Sequence, residues 1–334
     1  MNKKIAAMAV ALSLCISANP AAALTVKLGT VAPEGSPWHD ALQEMGSEWQ
    51  KISGGKIKVR IYPGGVAGDE PDLLRKMRIG QLHAAALSKS GLYALIPDID
   101  LISYPLMLRS DEELIYLIDK IGPVLEARLM EKGLRVLNWS MAGWVYFFSR
   151  NPVVTPEDLQ RQKLFFWGSD TEYVELLKQS GFQPVPLAIN DLLPSLQTGL
   201  VDSFGAPPVA ALSFQWFSLA PNMADLKWQP LPGATVISSK TWKKIPSEIR
   251  PQLEKAAADI GRRLWGRIAD LNTEALQVME EHGLKVNDVT PEQAEHWKTQ
   301  FREKTGEDFI YRRYDRELYE KVLKALEEYR GGAR

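Results

Sequence analysis

Cysteine is almost missing from this chain: Cys15 is the only one among 334 residues, and it lies in the N-terminal segment. Disulfide scaffolds, thiolate nucleophiles and cysteine-based metal sites are therefore excluded from everything downstream of it. Histidine is nearly as scarce. His39, His83, His282 and His296 stand far apart, and none falls in a metal-binding spacing such as His-Glu-x-x-His. There is no Gly-x-Ser-x-Gly elbow, no P-loop and no Gly-x-Gly-x-x-Gly after a strand. An excess of one charge is lacking too. With 40 basic and 41 acidic residues the net charge is -1, which leaves no electrostatic footprint for nucleic acid or an anionic membrane surface. No catalytic residue, metal or cofactor is expected.

Long apolar runs are confined to one place. Lys3 and Lys4 precede Ile5 to Ile16, a run too short to span a bilayer, and Ala21-Ala22-Ala23 follows as a small-residue cleavage site. Residues 1–23 read as a secretory signal peptide, which places the mature chain in a bacterial periplasm. Leu14 before Cys15 speaks against lipidation.

What is present is an α/β pattern. "LTVKLGTVA" alternates as a strand, and Ser36-Pro37 opens a helix whose apolar face carries Trp38, Leu42, Met45 and Trp49. "KIKVRIYP" is a second strand, Asp69 and Pro71 open a second helix, and "HAAALS" is a short buried strand. A helix from Asp111 to Lys132 and the strand "LRVLNWS" close this block, and a mostly parallel sheet is expected. A second block begins near Gly143 with the strand "WVYFFS". The capped turn Thr155 to Asp158, "KLFFW", a helix from Asp170, "PVP", a helix after Asn190 and the strand "LVDSF" complete it. The C-terminal third is helical. Ile249 to Leu271 keeps a helix period, Thr290 to Gln293 is a capping box, and the charges of "RYDRELYEKVLKALEEYR" read as solvated faces. With no flexible linker between the blocks, several chain crossings and a hinge are expected.

Several segments together carry a resemblance: "KLGTVAPEGSPWHDAL", "GGKIKVRIYPGGVAGDEPDLLRKMRIGQLHAAALS", "NPVVTPEDLQRQKL", "LQTGLVDSFGAPP" and "SSKTWKKIPSEIRPQLEKAA". In these the chain resembles the periplasmic solute-binding subunits of TRAP transporters, the DctP-like family. The resemblance implies a two-lobed clamshell of the type II-like periplasmic-binding-protein class, with a long helix spanning both lobes. One lobe would hold residues 24–142 plus about 231–269. The other would hold 143–230 plus about 270–334. Ligand would be captured between the lobes and handed to TRAP membrane permease subunits.

Most members of that family grip a ligand carboxylate with an arginine on the strand after the Thr-Pro-x-Asp-Leu turn. In this chain that position is Phe165. A second arginine of some members falls at Val145, an asparagine at Ala206, and a first-strand asparagine at Val31. Glu70 and Ser88 keep polar character at positions that can face the cleft. Arg150 and Arg161 sit at a strand end and a turn and are read as surface residues.

On a strand, Phe165 and Trp167 share one face while Leu164 and Phe166 share the other, so Phe165 and Trp167 would line the cleft and Leu164 and Phe166 the lobe core. By composition alone the run "KLFFW" reads as core. The anchor position is what turns Phe165 to the cleft. Val145 and Phe147 share a face in the same way, and Ile189 and Trp216 are further candidates. Two ligand classes stay open. One is an apolar or amphipathic molecule with at most one polar end. The other is a small organic acid held through non-standard contacts. A third reading, an enzyme or structural protein on the same fold, has no catalytic constellation behind it.

Overall fold

The computed structural model describes residues 23–168 and 170–332. The signal-peptide expectation for residues 1–23 falls, but for Ala23, outside the described residues. The chain begins as anticipated, with β1 (Leu24–Thr30), α1 (Pro37–Ile52), β2 (Ile57–Tyr62), α2 (Glu70–Arg78) and β3 (Ala84–Ser88). Ser36 caps α1 by accepting the His39 N–H, and Asp69 caps α2. The apolar stripe of α1 is buried at Leu42, Met45 and Trp49, and the Trp49 indole donates to the Leu253 carbonyl at 3.1 Å. Short α3 (Lys89–Tyr93) and long α4 (Asp111–Glu131) follow.

The next element departs from expectation. "LRVLNWS" and "WVYFFS" are one strand, β4 (Leu134–Ser149). Its pairing shifts between Met141 and Trp144, and Gly143 there has φ +119°. A Cβ on Gly143 would lie 2.4 Å from Asn272 Nδ2, so glycine serves both the bend and the close approach of a helix. The strand is bent rather than broken, and a local break in pattern was what looked like a domain boundary.

The second lobe contains α5 (Pro156–Gln160), β5 (Lys163–Phe166), α6 (Thr171–Gln179), β6 (Gln183–Pro186), α7 (Leu192–Thr198), β7 (Ser203–Ala206), α8 (Pro208–Ser213) and β8 (Asn222–Ala224). The chain then returns along β9 (Gln229–Ser238) through α9 (Ser239–Trp242) into α10 (Arg250–Glu281). The sheet order is β2-β1-β3-β9-β4-β7-β5-β6. β1, β2 and β3 run parallel, whereas β9 pairs antiparallel with both β3 and β4. The first half of β4 thus belongs to one lobe, and its end, paired with β7, to the other.

Helix α10 is 32 residues long. Leu253, Ala257 and Ile260 pack with α1 and β1, while Met279 joins the core around Phe148 and Phe204. Those two rings stack at 5.1 Å. β4, β9 and α10 therefore each cross between the lobes. The last elements are β10 (Lys285–Asn287), α11 (Pro291–Lys304), α12 (Glu307–Arg313) and α13 (Arg316–Gly332). Helix α11 packs on α5 in the second lobe. Helix α13 instead packs on α4, burying Leu318, Val322 and Leu326 in the first lobe's core. The expectation that residues 270–334 stay with the second lobe does not describe this helix. Its amphipathic stripe was visible, but not which lobe covers it.

Candidate functional site

Between the lobes lies a cavity of about 320 Å³, within the range of small-molecule sites. Val31, Glu70 and Ser88 border it from the first lobe. Phe165, Trp167, Ile189, Ala206 and Trp216 border it from the second, and Val145 and Phe147 from the crossing strand. The structure brings all of the sequence-derived site residues to this one wall.

Their local geometry follows from the strands. Val145 and Phe147 project into a cluster with Leu164, Trp228 and Trp297, while Phe148 on the opposite face joins Phe204. Phe165 packs with Val31, Ile189, Ala206 and Trp216, an apolar cluster made by both lobes. It is 7% exposed. Leu164 enters the lobe core as expected, yet it also borders the cavity. Phe166 does not fill the core. It is half-buried, tilted against Tyr173 with ring centroids 5.9 Å apart. Trp167 lies one residue beyond the end of β5, so the strand alternation does not place it.

What places Trp167 is Asp69. The indole N–H donates to both carboxylate oxygens at 3.3 Å, and the Ile189 N–H reaches the same carboxylate at 3.2 Å. The Ser90 hydroxyl donates to the Trp167 carbonyl at 3.2 Å. These bonds join the lobes across the cleft mouth, and the lobes are closed on each other. A second junction adjoins the first, at Tyr93 on the same helix as Ser90 and at Asp170, three residues after Trp167. Arg313, 3% exposed, pairs with Asp170, reaches Glu172 at 3.1 Å and donates to the Tyr93 hydroxyl at 2.6 Å. Tyr314 beside it donates to Asp100 at 2.9 Å. The start of "RYDRELYE", read as a solvated face, is therefore buried between the lobes.

Charge on the wall is sparse and already committed. Among the described residues, Lys89 is the only basic residue bordering the cavity, and its Nζ sits 2.9 Å from Asp100 Oδ1. Arg150 donates to the Leu196 carbonyl at 2.6 Å and Arg161 pairs with Asp158, both away from the cavity. Glu70 is buried. Loss of water pushes its carboxyl up to about 7, against hydrogen bonds from the Ser88 N–H and hydroxyl, and the nearby Asp69 charge adds to the rise. An acid held above its unfolded value of ~4.3 binds a proton more tightly when folded. Its contribution to stability is thus full below that value and is lost as pH rises through about 7. The loss amounts to about 4 kcal/mol. Glu70→Gln is expected to flatten the fall in denaturant-measured stability between about pH 4 and about pH 7. An unchanged slope would assign the fall to other groups.

Residues missed in the sequence also border the cavity. Lys89, Tyr93 and Trp38 belong to helices whose role in the wall has no linear signal. Gln229 is half-buried on β9 directly across from Val145, and strand pairing puts the two side chains on one face. A polar residue entering a strand was the only available hint.

This architecture has many relatives. A curated solute-binding protein of Chromohalobacter salexigens is 25% identical over 275 residues, 81% of each chain. A TRAP periplasmic solute-binding protein of Sulfurospirillum deleyianum, solved with bound succinate, superposes with a TM-score of 0.83 at 22% identity, covering 90% of this chain and 99% of its own. One from Xanthobacter autotrophicus with bound β-D-galacturonate also has a TM-score of 0.83, at 20% identity and the same coverage. The sequence model of the DctP family, bacterial extracellular solute-binding protein family 7, matches residues 28–311, and the chain belongs to that family.

Proposed function

We propose that this chain captures a small organic acid in the periplasm, carries it in the closed cleft and delivers it to the membrane permease of a TRAP transporter. Relatives that hold succinate and β-D-galacturonate support the acid class. The purely apolar ligand has no such support, and the acid is the better reading. The cavity wall then narrows the class to a monocarboxylate with an apolar body. The observation that carries this is the fate of positive charge: among the described residues the wall has one basic side chain, Lys89, already paired with Asp100, beside an apolar face that includes Phe165, Val145 and Ala206.

One carboxylate has Gln229 and the Lys89–Asp100 pair for polar contact. A second carboxylate would meet no further cation, and against Phe165 and Val145 it would cost several kcal/mol, while a ring of hydroxyls would have to share the neutral polar side chains of the wall, Thr30, Asn138, Ser140 and Thr235 among them. Burial of the apolar body contributes about 25 cal/mol per Å². Titration calorimetry with hexanoate, succinate and glucuronate checks the reading. Hexanoate is expected to bind at least about tenfold more tightly than either of the others, the ratio set by one unpaired polar group. Preference for succinate or glucuronate would overturn the monoacid reading, and binding of hexanol but no acid would restore the apolar one.

A further inference from the structure

Behind the cleft, inside the second lobe, lies another cavity of about 210 Å³ between α5, α6 and α11. Phe147, Leu164, Leu177 and Trp228 border both this space and the cleft cavity. The partition is therefore one side chain thick, and every side chain in it is apolar. Phe147 stacks on Trp297 at 5.5 Å on the second cavity's side and tilts against Trp228 at 5.2 Å. The face turned to the cleft is apolar, although exposed Gln179, Glu303 and Lys304 also border the space, and apolar room of this size beside a ligand cleft can take the apolar end of an occupant. The occupant that can reach it from the cleft without crossing solvent is the ligand.

We infer that the second cavity is a tail site: it receives the unbranched apolar end of a monocarboxylate whose polar end stays in the cleft, with the Phe147, Leu164, Leu177 and Trp228 side chains forming the neck. The inference rests on the monoacid reading and extends it to ligands longer than the cleft alone holds. A buried methylene, worth ~0.8 kcal/mol, corresponds to roughly fourfold in affinity. A chain-length dependence that disappears when the second cavity is filled therefore reads out that cavity.

Calorimetry with butanoate, hexanoate and octanoate on the full chain tests it, in wild type and in two variants of Leu176. Leu176 borders the second cavity but not the cleft. Wild type is expected to favour octanoate over butanoate by at least about thirtyfold, most of four buried methylenes. Leu176→Trp, which fills the cavity, should remove that preference and leave butanoate unchanged. Leu176→Ala should keep it. Affinity independent of chain length, with butanoate bound, would overturn the tail site and leave the acid reading standing. So would an octanoate preference that survives Leu176→Trp. Failure of all three acids to bind would overturn both.

Discussion

Replacing Phe165 with arginine is expected to invert ligand choice. The wild-type ring is buried among Val31, Ile189, Ala206 and Trp216. A guanidinium placed there is surrounded by apolar groups, and an unpaired buried charge costs about 3–5 kcal/mol. Apo protein should lose stability by that order. Hexanoate, packed by its apolar body against the wall, should weaken as well. Succinate carries a second carboxylate that can pair with the new charge, and its affinity should rise above wild type. Phe165→Ala gives the control: hexanoate loses about 1–3 kcal/mol of binding through lost packing, and succinate gains nothing. Calorimetry with both acids, alongside urea unfolding, separates these effects. If Phe165→Arg and Phe165→Ala both bind hexanoate as wild type does, "KLFFW" is lobe core and the ligand lies elsewhere.

The second large effect is expected at Arg313. Its guanidinium holds Asp170 and Glu172 at the start of α6 and the Tyr93 hydroxyl on α3, so a C-terminal residue fastens both lobes. Asp170 is only 12% exposed. Arg313→Ala leaves that carboxylate buried without its partner, which is expected to lower stability by about 3–5 kcal/mol. Arg313→Lys should recover part of this, since an ammonium keeps the charge but not the planar fork that reaches several partners at once. Because the contacts cross the cleft, Arg313→Ala should also weaken closure. Small-angle scattering with saturating hexanoate should then show a less compact bound form than wild type. Equal stability in urea would mean that the pair contributes nothing net.

Much of this molecule is written locally. Ser36-Pro37, Asp69 and the Thr290 to Gln293 capping box each mark a helix start by chemistry that acts within one turn, and the helices begin there. Alternation along "WVYFFS" correctly separated Val145 and Phe147 from Phe148 because a strand's faces are fixed by its pleat. What escaped reading depends on distant partners. The continuity of β4 through Gly143 is set by β9 alongside it and Asn272 against it. Trp167 leaves the strand and is positioned by Asp69, 98 residues away. Arg313 looks like any charge in an amphipathic helix until Asp170 and Tyr93 are brought beside it. Val31, Val145, Phe165 and Ala206 were singled out only by resemblance, since an apolar residue on a strand carries no local sign that distinguishes a cavity wall from a core.

The central claim is that the closed cleft holds one small monocarboxylate. The direct measurement is native purification from periplasmic extract, followed by mass spectrometry of the small molecules released on unfolding. A single stoichiometric species with one carboxyl group on an apolar body is expected. Recovery of a dicarboxylate or a sugar acid in that position would contradict it.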